Sequence, residues 1–172
     1  MFFTLEKLER NTKQLKDLRY RERMEIPSFD ASTPEEEPVG KRPESVVYTG
    51  TLKKGDFWIG RGTYLWIRQS VEIPVEWTGK KIAGLFNMGK TGEGLNSGFE
   101  GLIYVNGSPY CETGSYHEEV IFPSELAGTK VELAIRLWAG LEGGGVPTQQ
   151  THQGKKAELA VRDEVKDDFY YS

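Results

Sequence analysis

Residues 103–110 read Ile-Tyr-Val-Asn-Gly-Ser-Pro-Tyr, and the fold is decided there. Asn and Gly are the two residues that most readily adopt φ > 0. An Asn-Gly pair between apolar-alternating segments is therefore the strongest short signal for a type I′ turn joining two antiparallel strands. Immediately upstream, Phe99 to Val105 reads as the first strand of that hairpin. Working outward, the same period of two recurs. Thr63 to Ile73 (Thr-Tyr-Leu-Trp-Ile-Arg-Gln-Ser-Val-Glu-Ile) is a long strand, and Ser45 to Leu52, Ile82 to Met88, His117 to Phe122, Val131 to Trp138 and Lys156 to Arg162 complete the set. Seven or eight short strands with almost no helical periodicity after Arg23 imply a mainly β chain, a sandwich of the jelly-roll kind.

Before the strands the period is different. Leu5, Leu8, Leu15 and Leu18 fall along one face of a helix that Thr4 can cap, with Glu6 at the positive end of its dipole. Glu6/Arg10, Glu9/Lys13 and Asp17/Arg21 are acid-then-base pairs at i,i+4. Pro27 prevents continuation, so residues 1–26 are assigned to an N-terminal helix that fades by Arg23. Four leucines make a thin stripe, and such a helix needs a partner surface. Residues 27–44, with four prolines and the run Glu35-Glu36-Glu37, read as an extended connector. Residues 45–172 are then the sandwich. Two glycine-rich segments, Gly89 to Gly98 and Gly140 to Pro147, separate strands within it.

Composition narrows the function classes. The chain has 172 residues, 37% hydrophobic and 28% charged, with a net charge of -4. Acidic and basic residues are mixed along it, without the basic field that a nucleic-acid partner needs. No apolar run approaches the length that spans a bilayer, and charge appears too early for a signal peptide, so neither a membrane nor an oxidising compartment is expected. A single cysteine, Cys111, allows no intrachain disulfide. The expected location is cytoplasmic.

Catalytic patterns are sparse. Gly84-Leu-Phe-Asn-Met-Gly-Lys-Thr91 matches the phosphate-loop pattern letter for letter. Its first half reads as a strand, however, and the glycines that follow cannot start the helix whose N-terminus would hold phosphate. His117 and His152 stand far apart with no metal-ligand spacing, and Cys111 has no nucleophile motif around it. No catalytic, cofactor-binding or metal-binding residue is assigned.

The stretch Tyr64 to Ile82, with Pro74-Val-Glu-Trp-Thr-Gly-Lys80 and the Val105-Asn-Gly hairpin downstream, resembles the accessory jelly-roll domains of glycosidases. More closely, the chain is similar to the N-terminal domain of bacterial α-mannosidases of glycoside hydrolase family thirty-eight. The residues that carry this are Leu18-Arg-Tyr-Arg-Glu-Arg23, Gly55-Asp-Phe-Trp58, Thr63-Tyr-Leu-Trp66, Gly98 to Gly107, Phe122 to Gly128 and Arg136 to Gly145. The resemblance implies a galactose-binding-like sandwich that packs on a catalytic barrel. It also implies that zinc and the nucleophile of a retaining mechanism reside in that barrel, for which the chain has no room. Expected partners are the barrel and a second copy of the chain, and the expected role is structural. The alternative is a carbohydrate-binding module for mannose-containing glycans. For that reading the candidate stacking rings are Trp58, Tyr64, Trp66, Tyr110 and Tyr116, with Tyr110, Tyr116 and Trp58 as the candidate sugar contacts, while Trp66, mid-strand among apolar neighbours, is expected in the core.

Overall fold

The computed structural model describes residues 3–36, 40–89, 99–140 and 149–171. The turn quoted first forms as its sequence demands. Strands β8 (Glu100–Val105) and β9 (Ser108–Gly114) pair antiparallel with Val105 opposite Ser108. Asn106 and Gly107 take φ of 50° and 80°, the left-handed pair that a type I′ turn requires. The turn is pinned from outside by strand β11 (Lys130–Trp138): Asn106 N–H donates to the Glu132 carbonyl, and Glu132 N–H donates to Asn106 Oδ1, each at 2.9 Å.

The remaining elements are helix α1 (Phe3–Leu18), strands β1 (Tyr20–Glu25), β2 (Ser28–Ser32), β3 (Glu35–Glu36), β4 (Tyr48–Lys53), β5 (Phe57–Gly60), β6 (Thr63–Glu72), β7 (Lys81–Asn87), β10 (Glu119–Phe122), β12 (Gln150–Gln153) and β13 (Lys156–Arg162), and helix α2 (Glu164–Tyr171). The larger sheet runs β4-β2-β6-β11-β8-β9, with β3 also on β6. The smaller runs β1-β13-β7-β10, and β5 and β12 form a separate ribbon. The pairs are antiparallel throughout. This is a β-sandwich with an N-terminal helix.

Alternation fills the space between the sheets. Leu65 and Ile67 of β6, Leu133, Ile135 and Leu137 of β11, Ile82 and Phe86 of β7, and Leu159 of β13 meet in one buried cluster. Burying a side chain of this size contributes about 1.5–3 kcal/mol, so the face-to-face packing dominates the stability. Trp77 closes that core, held by the turn from Pro74 to Gly79, where Gly79 has φ of 72°. Gly84 lies mid-strand in β7, under the rings of Phe86 and Phe122. The letters of the phosphate-loop pattern therefore fall on a core strand as far as Asn87, and Lys90 and Thr91 lie outside the described residues.

Three assignments from sequence need correction. The helix expected over residues 1–26 stops at Leu18, and residues 20–25 are a strand on β13. Good helix formers yield there to tertiary contacts: Tyr20 is buried on the outer side of the smaller sheet with Ala83, Leu85 and Ala160. A register shift between Arg21 and Met24, with Glu22 at φ of 51°, lets the charged residues of this edge strand face out. Secondly, the segment read as connector 27–44 contributes β2, which sits between β4 and β6. Phe29 and Ala31 belong to the main core, because Pro27 and Pro34 flank Ser-Phe-Asp-Ala-Ser without interrupting it. Thirdly, helix α2 ends the described chain where helical periodicity had not been read.

The two helices come together through a buried ion cluster. Arg19, which is 3% exposed, donates to Asp167, 4% exposed, and sits 3.3 Å from Glu119. Arg162 also donates to Asp167, and Tyr20 donates its hydroxyl hydrogen to Glu119. Arg19 stays fully charged. Burial opposes its charge, but the Asp167 hydrogen bond and the charges around it raise its pKa. Burial and the bond to Glu119 also push the Tyr20 phenol well above the usual range.

Candidate functional site

The outer face of the larger sheet divides into two halves. On one, Val46 and Tyr48 lie over Trp66, Tyr104 and Ala134, so that Trp66 is wholly buried. Its indole therefore lies on the outward side of β6, beneath the 46–48 segment, and is not part of the inter-sheet core. The other half is open. It forms a groove of about 590 Å³ lined by Tyr64, Glu100, Leu102, Glu112, Tyr116, Arg136 and Trp138, among others.

The register explains why these residues meet. Tyr64 is opposite Trp138, and Trp138 is opposite Glu100, so one cross-strand row runs over β6, β11 and β8. Arg136 is opposite Leu102, and Leu102 is opposite Glu112, which makes the next row over β11, β8 and β9. Residues two apart share a face; the inward partners Leu65, Leu137 and Ile135 fill the core while Tyr64, Trp138 and Arg136 face out. Gly114 continues the first row opposite Glu100 and raises no side chain there. The result is two half-buried rings side by side, an apolar leucine, and three charged groups at the edges.

Arg136 lies 5.1 Å from the centre of the Tyr64 ring. Among the described residues it forms no ion pair, and neither Glu100 nor Glu112 does. Arg68, on the same strand face as Tyr64, shows the contrast, since it pairs with Asp30 at 3.7 Å and sits over Tyr48. The groove is thus provided with donors and acceptors not consumed by one another. Such a concave, part-aromatic site with a few polar groups is what a small ligand needs.

Of the rings named from sequence, Tyr64 lines the groove, and the three singled out as sugar contacts fare differently. Trp58 is 5% exposed; its indole N–H donates to the Met88 carbonyl at 2.8 Å, and it stacks on His152 with centroids 4.2 Å apart. It faces inward and cannot present a sugar-stacking surface. The alternation of β5 is the reason, because Phe57 and Ile59 take the outward positions. Tyr110 stands at an edge, stacked on Phe122, with its hydroxyl donating to the Ile121 carbonyl at 2.6 Å. It lies away from the groove lining. Tyr116, 61% exposed, is on the groove rim. Arg136, Trp138, Glu100 and Glu112 escaped the sequence reading. Their shared outward parity, set against Ile135, Leu137 and Ile103, was the available signal.

No group of three or more His, Cys, Asp or Glu among the described residues is placed to hold a metal ion. Cys111, on β9, is half-buried, and burial, reinforced by Glu112, pushes its thiol up to about 11. Among the described residues no helix is long and apolar enough to cross a membrane.

Comparison with known proteins follows the fold. The chain is similar to an apo β-glucuronidase from Ruminococcus gnavus, with a TM-score of 0.52 and 14% identity, over 83% of this chain and 29% of that one. The likeness is one of fold. A second similarity, to the CBM51-2 and INT domains of Clostridium perfringens ZmpB with GlcNAc, has a TM-score of 0.28 and 15% identity over 87% of this chain and 31% of that one. The chain therefore spans under a third of the length of these solved structures. No protein-family model matches the sequence, and no curated protein matches it.

Proposed function

We propose that this sandwich is a non-catalytic carbohydrate-binding module of a glycoside hydrolase and that the groove over β6, β11, β8 and β9 is its sugar site. One observation carries the reading: Tyr64 and Trp138 lie opposite each other on an open sheet face, with Arg136, Glu100 and Glu112 around them. The C–H face of a pyranose packs on such rings while its hydroxyls bond to charged groups at the edge. A fold shared with part of a β-glucuronidase chain agrees with an accessory place in a larger glycosidase.

The parent enzyme in this reading is an α-mannosidase of glycoside hydrolase family thirty-eight, as the sequence resemblance implies, with zinc in its separate barrel and terminal α-mannosides as substrate. The module's partners would be that barrel and mannose-containing glycans. Isothermal titration of the chain with methyl α-mannopyranoside and mannobiose tests the binding claim. Saturable millimolar or tighter binding, lost in Trp138→Ala, supports it; no heat at any concentration refutes it. Turnover of an aryl α-mannoside by this chain with added zinc would overturn the non-catalytic part.

A further inference from the structure

The groove's charged groups carry more information than its rings, because their arrangement specifies what kind of sugar fits. Resting on the sugar-site reading, we infer that the groove prefers an uncharged sugar, whose adjacent hydroxyls bridge Arg136 and Glu112, to a sugar of the same size that bears a carboxylate.

The placement comes from the register. Arg136 and Glu112 stand two strands apart in one cross-strand row, with Leu102 between them. Neighbouring strands are about 4.8 Å apart, so their backbones are roughly 10 Å apart. That span leaves room for about one pyranose ring over Leu102, with a long charged side chain at each end of it. Trp138, in the adjacent row, supplies the flanking ring face. The guanidinium rests against the Tyr64 ring on the β6 side, which sets it at the end of the span away from Glu112.

The chemistry of the pair is complementary. A guanidinium only donates hydrogen bonds, and an ionised carboxylate only accepts them. A hydroxyl does both. Two hydroxyls on adjacent carbons can therefore accept from Arg136 and donate to Glu112 at once, each polarising the other. A carboxylate on the ligand could use Arg136 but would face Glu112 and Glu100, both of which line the groove. The one guanidinium then stands against two carboxylates. A like charge within a few ångströms of these carboxylates costs binding, modestly, because both are solvent-exposed. Neither carboxylate is neutralised by an ion pair among the described residues, so the acidic bias persists when the groove is empty.

The test uses the whole chain and two sugars of equal size, methyl α-mannopyranoside and glucuronic acid, titrated by isothermal calorimetry at pH 7. Four proteins are compared: wild type, Glu112→Gln, Arg136→Lys and the remote control Glu125→Gln. The expected result is binding of the neutral sugar with glucuronic acid weaker by about threefold or more, a gap that Glu112→Gln narrows. Neutral-sugar affinity should fall by about fivefold or more in both groove variants and not in the control. Glu112 is exposed, so its variant carries the test even if Arg136→Lys melts early. Equal or tighter binding of glucuronic acid overturns the inference and leaves the sugar-site reading standing. Neutral-sugar binding that ignores both groove substitutions also overturns it. Absence of binding by any sugar removes the sugar-site reading itself.

Discussion

Replacing Gly84 by alanine puts the packing of the sandwich to a direct test. In β7 a Cβ at this position would lie 2.5 Å from Phe122 Cε2 and 2.6 Å from Phe86 Cε2, distances that real Cβ atoms do not tolerate. Phe86 is wholly buried and Phe122 is 3% exposed, so neither ring can swing into solvent, and both pack against a core that is already dense. One added methyl in such a core costs about 1–3 kcal/mol through displaced rings and backbone. Alanine also loses less backbone entropy than glycine on folding, which returns up to about 1 kcal/mol. The net expectation is a loss of about 1–2 kcal/mol. For a domain of this size each kcal/mol moves Tm by about 2–4 °C, so Tm should fall by roughly 2–8 °C. Differential scanning calorimetry or thermal circular dichroism measures this. Trimming the obstructing ring should relieve the strain, so Gly84→Ala should cost less in a Phe122→Leu background, giving a favourable coupling in the double-mutant cycle. An unchanged or raised Tm would refute the reasoning, since it would mean that Gly84 is not under two core rings. A glycine in an open phosphate loop would behave in that way.

Other consequences are equally open to measurement. Asp167→Ala leaves Arg19 buried with only Glu119 to neutralise it; removing one partner of a buried ion pair costs about 3 kcal/mol or more, and a lowered urea midpoint checks it. The raised pKa of Tyr20 means that the folded state holds its proton after the unfolded chain has lost it. Stability present below the ordinary tyrosine pKa of about 10 is therefore lost as pH rises beyond that value, and Tyr20→Phe should reduce the fall in Tm between pH 9 and 11. With its thiol pushed up to about 11, Cys111 should react with iodoacetamide at pH 8 on the order of 100-fold more slowly than a free cysteine, and at the ordinary rate once unfolded.

The hairpin was legible because its information is local: two residues with φ > 0 set the register of β8 and β9. The long strands β6 and β11 were legible through their alternation. Strand β2 was missed since Pro27 and Pro34 dominate the composition of its neighbourhood, while only long-range pairing shows that Phe29 and Ala31 face the core. Residues 19–24 were read as helix because Arg, Glu and Met favour one; what opposes it is the burial of Arg19 against Asp167, 148 positions away. The groove failed to appear for a similar reason. Tyr64, Glu100, Glu112, Arg136 and Trp138 come from four strands, and their neighbourhood exists only after β11 pairs with both β6 and β8. Trp58 stands out in sequence only as a large ring, and the outward positions of Phe57 and Ile59 on β5 put it inside.

The chain holds four tryptophans, and they report on the central claim with little ambiguity. Trp58, Trp66 and Trp77 are at most 5% exposed, whereas Trp138 lines the groove. Their indole N–H signals form a separate region of a ¹⁵N-¹H correlation spectrum. Titrated with methyl α-mannopyranoside, the signal of Trp138 should shift saturably while the other three stay in place. No shift in any of the four, or a shift confined to Trp58, would contradict the assignment of this groove as the sugar site.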